Sequence, residues 1–252
     1  MPRSRFLHRL RQTCKTRRNR NPSLLIRKAG AEFAGTFFIT IVAIGVDVDY
    51  YTGAGVDYVS RWLARGFITT AMIYAFSELS GAHADPAVSL AFALRKAMPP
   101  LQMLLYWIAQ FAGGFAAAAL AFALWKKTML LGASHPGPRY TQLEAVLAEM
   151  ILSFLLVLVI LATAEEESRV GKQAALAVGL TVAACGLFAG PISGASMNPA
   201  RSIAAQVVGG APELVWIYAA GPCLGAALAA AAAFLFFPHS GAGEQRAGKG
   251  KE

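Results

Sequence analysis

The chain repeats itself. Ala31-Glu32-Phe33-Ala34-Gly35-Thr36-Phe37 is echoed by Ala148-Glu149-Met150-Ile151-Leu152-Ser153-Phe154. Likewise Ser80-Gly81-Ala82-His83-Ala84-Asp85-Pro86-Ala87-Val88-Ser89 is echoed by Ser193-Gly194-Ala195-Ser196-Met197-Asn198-Pro199-Ala200-Arg201-Ser202. Six apolar segments surround these motifs, roughly at 30–46, 66–76, 103–125, 143–164, 173–189 and 214–237. Residues are 56% hydrophobic and 15% charged, and the mean hydropathy is +0.49, more apolar than the core of a soluble domain requires. The bilayer is the solvent this composition fits. Because a crossing takes about 20 residues, six of them use up the chain. Three per half is an odd number, so the second copy enters the membrane from the opposite face and the halves are related by a pseudo-two-fold axis in the membrane plane. The expected fold is all-α: six transmembrane helices plus two re-entrant half-helices in an inverted repeat. The channel domain covers 29–237, with repeats at 29–127 and 141–237.

Charge orients the chain. The net charge is +9, and ten Lys or Arg precede position 29: Arg3, Arg5, Arg9, Arg11, Lys15, Arg17, Arg18, Arg20, Arg27 and Lys28. The first acid is Glu32. Gathered at one end ahead of an apolar helix, this charge reads as a disordered cytoplasmic tail (1–28) that can touch anionic headgroups, and not as a nucleic-acid surface. An Arg-rich transit peptide is the other reading. An even number of crossings returns the C-terminal tail (238–252) to the cytoplasm. The loop bearing Asp47, Asp49 and Asp57 and the 191–210 region then lie outside, with Arg95, Lys96 and the 165–172 loop inside. Lys126, Lys127 and Arg139 run against this orientation. A plasma membrane or bacterial inner membrane is the expected location. Cys14, Cys185 and Cys223 are scattered and take no function.

Each second motif places Asp85 or Asn198, then Pro and Ala, ahead of a short run of helix formers (88–95 and 201–208). A polar N-cap followed by Pro at the first helical position starts a helix. About ten residues cannot cross a bilayer, so each is expected to stop near the midplane. Their N-termini would meet there, presenting two positive dipole ends that repel cations. The glycine-bearing stretches before them cannot be helical, and their carbonyls need a wet cavity. Gly81, Ala82, His83, Gly194 and Ser196 are the candidate lining residues.

These motifs resemble the major intrinsic protein family, the aquaporins and aquaglyceroporins, over about 29–237. Asn198-Pro199-Ala200-Arg201-Ser202 after Ser193-Gly194-Ala195 matches the second signature. In the first signature, Asp85-Pro86-Ala87, Asp85 stands where the family usually has Asn. The resemblance implies a passive channel for water and small neutral solutes such as glycerol, urea or metalloid acids, assembled as a homotetramer in the lipid bilayer, with no cofactor. It implies that Glu32 and Glu149 brace the re-entrant loops, that Asn198 orients single-file water, and that Arg201 is a constriction arginine. The other filter positions then fall at Ala195, Gly186 and Arg65. Small Ala195 and Gly186 suggest a wide filter, whereas Ser202 leans toward water. Arg61 and Arg65, four apart with Trp62 beside them, have the composition of an interfacial anchor, and the residues favour that over a filter role for Arg65.

Asp85 caps a helix about as well as Asn. A carboxylate accepts but does not donate, however, so it also weakens cation exclusion at the junction. His83 has no second ligand at metal spacing and is read as part of the loop. There is no nucleophile triad, phosphate loop or pair of catalytic acids. An alternating-access transporter shares inverted repeats and broken helices; a closed, adhesive membrane protein is the third alternative.

Overall fold

A computed structural model describes residues 22–164 and 173–236. The basic cluster from Arg3 to Arg20, Cys14, the 165–172 loop and the C-terminal tail at 238–252 lie outside the described residues.

The chain forms α1 (Pro22–Thr52), α2 (Tyr58–Ser80), the half-helix α3 (Pro86–Leu94) and α4 (Pro100–Trp125). A short 3₁₀ segment (Lys126–Gly132) follows, then α5 (Gln142–Thr163), α6 (Ala174–Ser193), the half-helix α7 (Pro199–Gly209) and α8 (Val215–Phe236). Five of the long helices are apolar enough to span by length and composition. The sixth, α2, is 23 residues long, about 34 Å at 1.5 Å per residue, and carries Arg61 and Arg65. Both point into the protein, at 3% and 5% exposure, so they add no charge to the lipid face. That face is apolar, with Phe67, Ile108, Phe188 and Leu235 exposed.

Most helices run past the bounds read from sequence, the second segment (66–76) by the most in proportion to its length, at Tyr58–Ser80, and two further shifts bear on the site. The first segment was expected to end at Val46, leaving Asp47 and Asp49 in a loop; α1 instead runs through Thr52 and buries Asp47 at 4% exposure. Asp57 alone of the three is a true loop residue. It caps α2 by accepting from the Val59 and Ser60 N–H groups, and the Ser60 hydroxyl and N–H hold its carboxyl below the usual carboxylate range. The fifth segment continues past Ala189 through Pro191 to Ser193.

Packing follows the duplication. Within the halves α1 lies against α2 and α4, and α5 against α6 and α8; the halves meet where α2 crosses α6. Each half-helix packs on the last helix of the opposite half as well as its own, α3 against α8 and α7 against α4. Small residues permit this closeness, as membrane helix interfaces require: Ala87 and Ala91 meet Ala226, Ala229 and Ala230 in one cluster, and Ala204 and Ala205 meet Ala118 and Ala121 in another. At the α2–α6 crossing, a Cβ on Gly66 would fall 2.5 Å from the Gly179 carbonyl oxygen and 3.0 Å from the Ala183 Cβ. Gly66→Val is therefore expected to force the helices apart and cost about 1–3 kcal/mol, read as a lowered melting temperature in detergent. An unchanged melting temperature would mean the crossing can relax.

Candidate functional site

The non-helical stretches 81–85 and 194–198 precede the half-helices and carry matched backbone distortions. Ala82, Ala84, Ala195 and Met197 all take positive φ, alongside Gly81 and Gly194. Left-handed conformations cost a side-chain-bearing residue about 1–2 kcal/mol, so something must hold them. The holder is one buried glutamate per half, each 0% exposed. Glu32 accepts from the Ser80 hydroxyl (2.6 Å) and the N–H groups of His83 (3.0 Å) and Ala84 (2.6 Å). Glu149 accepts from the Ser193 hydroxyl (2.7 Å) and the N–H groups of Ser196 (2.8 Å) and Met197 (2.7 Å). Tyr106 donates to the Ser80 carbonyl (2.6 Å) and Tyr218 to that of Ser193 (2.7 Å). Gln110 adds a further bond to Glu32 (2.8 Å). Each acid thus takes up two loop N–H groups and a serine hydroxyl.

Both predicted caps are formed, and each half-helix starts at its proline, two residues earlier than the runs read from sequence. Asp85 accepts from the Ala87 N–H (2.8 Å), and the Asn198 side-chain carbonyl from the Arg201 N–H (3.2 Å). The tips touch directly, because the Asn198 amide donates to the Ala84 carbonyl (2.8 Å). One of its two N–H groups is thereby committed to joining the halves. His83 bonds Ser89 through Nδ1 (3.0 Å) and packs on Phe92 and Tyr106.

A cavity of about 320 Å³ lies on one side of this junction, lined by Gly81, Ala82, His83, Asp85, Ser196 and Asn198 among others. It reaches Thr163, Ala164 and Ala174 at the end joined by the 165–172 connection. A second cavity of about 290 Å³ opens at the opposite end among Tyr50, Tyr51, Tyr58, Arg61, His135 and Gly194.

Between them stands a layer that the sequence reading did not foresee. Asp47 of α1 pairs with three arginines: its Oδ2 takes Arg65 in a very short contact and Arg201 at 3.2 Å, and its Oδ1 lies 3.3 Å from the Arg61 Nε. The Arg61 contact satisfies charge but not hydrogen-bond alignment. Arg201 also donates to the Gly132 carbonyl (2.9 Å) and to Ser134, and Arg65 to the Gly194 carbonyl (3.4 Å). Arg61 and Arg65 stack on Trp62 at 4.6 and 4.3 Å, a cation–π arrangement.

Two expectations are corrected. Arg61 and Arg65 are not an interfacial anchor, since both are buried in this ion cluster. Nor does small Gly186 leave open space beside it: Trp62, 0% exposed, lies where a Gly186 side chain would be. Asp47, Ser134 and Gly132 were missed. An acid inside an apolar helix is a functional signal, and only the early placement of the helix end hid it for Asp47. Gly132 and Ser134 come close through tertiary structure alone.

The fold and site define a polytopic integral membrane protein of inverted repeats whose half-helices meet tip to tip. A sequence profile of the major intrinsic protein family matches residues 19–233, and the chain belongs to that family. It is 38% identical over 208 residues to aquaporin NIP2-1 of Zea mays, covering 81% of this chain and 69% of that one. It is 39% identical over 210 residues to the putative aquaporin NIP4-1 of Arabidopsis thaliana, covering 81% and 73%. The X-ray structure of the aquaglyceroporin from Plasmodium falciparum superposes with a TM-score of 0.76 at 22% identity, covering 83% of this chain and 95% of that one.

Proposed function

We propose that the protein is a passive channel for water, with both termini cytoplasmic, working as a homotetramer with one pore per subunit in a plasma or bacterial inner membrane. The observation that carries this reading is the Asn198–Ala84 bond, which joins two capped half-helices tip to tip beside a cavity lined by both loops. Membership in a family whose relatives are named aquaporins supports it. Solute passes along the carbonyls of the two loops, Asn198 offers its remaining N–H, and Arg201, Arg65, Ala195 and Gly186 form the filter. Pro86, Ala87, Pro199 and Ala200 start the half-helices that aim the junction. Glycerol, urea and metalloid acids are the candidate larger solutes. Water is favoured over them because Trp62 fills the room left by Gly186.

Stopped-flow measurements on vesicles containing the full chain test this. Shrinkage in sucrose is expected to be fast and non-saturating, and swelling in glycerol or urea at least tenfold slower than water flow. Gradient-coupled, saturable uptake would establish an alternating-access transporter instead, and no flux at all an adhesive protein with a blocked path. At the junction itself, Asp85 makes a weaker cation barrier than paired asparagines would: it accepts and does not donate, and it sets a carboxylate between two positive helix ends.

A further inference from the structure

We propose that the barrier to cations lies in the outer arginine layer and not at the half-helix junction, with Arg61 and Arg65 supplying the positive charge that offsets Asp47 and Asp85. This rests on the channel reading above.

The junction is poorly equipped to exclude cations. One oxygen of Asp85 is held by the Ala87 N–H, and the residue lines the inner cavity. Asn198 spends one N–H on the opposite loop. A cation entering from the inner side therefore meets a carboxylate and a row of carbonyls.

The outer layer is built the other way. Had Asp47 met Arg201 alone, the two charges would cancel and no electrostatic barrier would remain. Instead, three guanidiniums gather on one carboxylate, leaving two positive charges unmatched, with all four side chains no more than 6% exposed. Burial keeps these charges poorly screened by salt. Arg201 lies three residues beyond Asn198 on α7, about 5 Å along the helix axis, so layer and junction act on the same ion. Leaving aside the loop-bracing Glu32 and Glu149, whose carboxylates are spent on loop donors, Asp47 and Asp85 oppose Arg61, Arg65 and Arg201, and one positive charge is left over. That is the excess a single filter arginine would give without either acid.

Charge, and not the shape of any one side chain, is then what excludes cations. Potassium flux and osmotic water flow are measured on vesicles containing the full chain. The parent is expected to pass water and exclude potassium. Arg65→Gln brings the excess to zero and raises potassium permeability on the order of tenfold, the effect of one unit charge about 10 Å away at an effective dielectric constant of about 20. Arg61→Gln removes the same charge from the other side of Asp47 and does the same, and retained osmotic water flow identifies which of the two variants is folded. Arg65→Lys keeps the charge and stays tight, which a purely structural role for the guanidinium would not give. Arg65→Gln/Asp85→Asn returns to the parent's exclusion. A parent that leaks potassium overturns the proposal, as do tight Arg61→Gln and Arg65→Gln variants, or a leak that Asp85→Asn leaves untouched. A parent that passes no water overturns the channel reading itself, and this with it.

Discussion

Replacing Glu149 with alanine is expected to abolish water flow through the protein, reducing vesicle shrinkage to the rate of protein-free lipid. The carboxylate accepts from Ser196 and Met197 N–H groups and from the Ser193 hydroxyl. Without it, buried donors are left unpaired in a region where neither lipid nor bulk water can satisfy them, at about 1–3 kcal/mol each. Met197 then loses the acceptor that holds its left-handed backbone, the Ser193 hydroxyl that holds Ala195 loses its own anchor, and the loop that sets Asn198 and Arg201 collapses into the cavity. Glu149→Gln keeps the shape but turns one acceptor into a donor facing an N–H, so partial flow should remain. Full flow in the alanine variant would show that another group braces the loop. Glu32→Ala should do comparable damage. Glu32 also holds Gln110 (2.8 Å), whereas the position corresponding to Gln110 in the second half is Pro222, which has no such donor.

Asp47→Asn should be the most destabilising single change in the arginine layer. It removes the one carboxylate shared by three buried guanidiniums. Breaking a buried ion pair from one side costs about 3–5 kcal/mol because the surviving charge has lost its partner. Here three such charges would also repel one another. The readout is thermal unfolding in detergent followed by tryptophan fluorescence. Asp47→Asn/Arg65→Gln, which deletes one charge of each sign, should recover part of the loss. If Asp47→Asn melts with the parent, water or another group satisfies the arginines and the cluster is not held by this carboxylate. Those vesicles that do contain folded Asp47→Asn should remain closed to cations, since the layer's positive charge rises.

Much of this was legible in the residues. The duplication of Glu32 in Glu149, and of the Asp85 motif in the Asn198 motif, implies two similar units, and three apolar stretches per unit require them to be inverted. Asp85-Pro86 and Asn198-Pro199 announce helix starts through cap and proline chemistry that acts within a few residues, and both starts occur there. The bracing role of the glutamates was accessible only through resemblance, because nothing local in the sequence of α1 or α5 points to a loop about 50 residues away.

The arginine layer marks the other side of that divide. Spacing alone gave Arg61 and Arg65 the look of an interfacial anchor, and small residues at 186 and 195 the look of a wide filter. The sequence determined the number of helices, their inversion, the two capped half-helices and the candidate pairs of site residues, since each depends on periodicity, charge or cap chemistry along a short stretch. Only the tertiary structure decided that Asp47 of α1, Arg61 and Arg65 of α2, and Arg201 of α7 share one buried site, with Trp62 filling the gap beside Gly186. Those neighbours come from distant parts of the chain, and burial allows such charges only where packing supplies each with a partner.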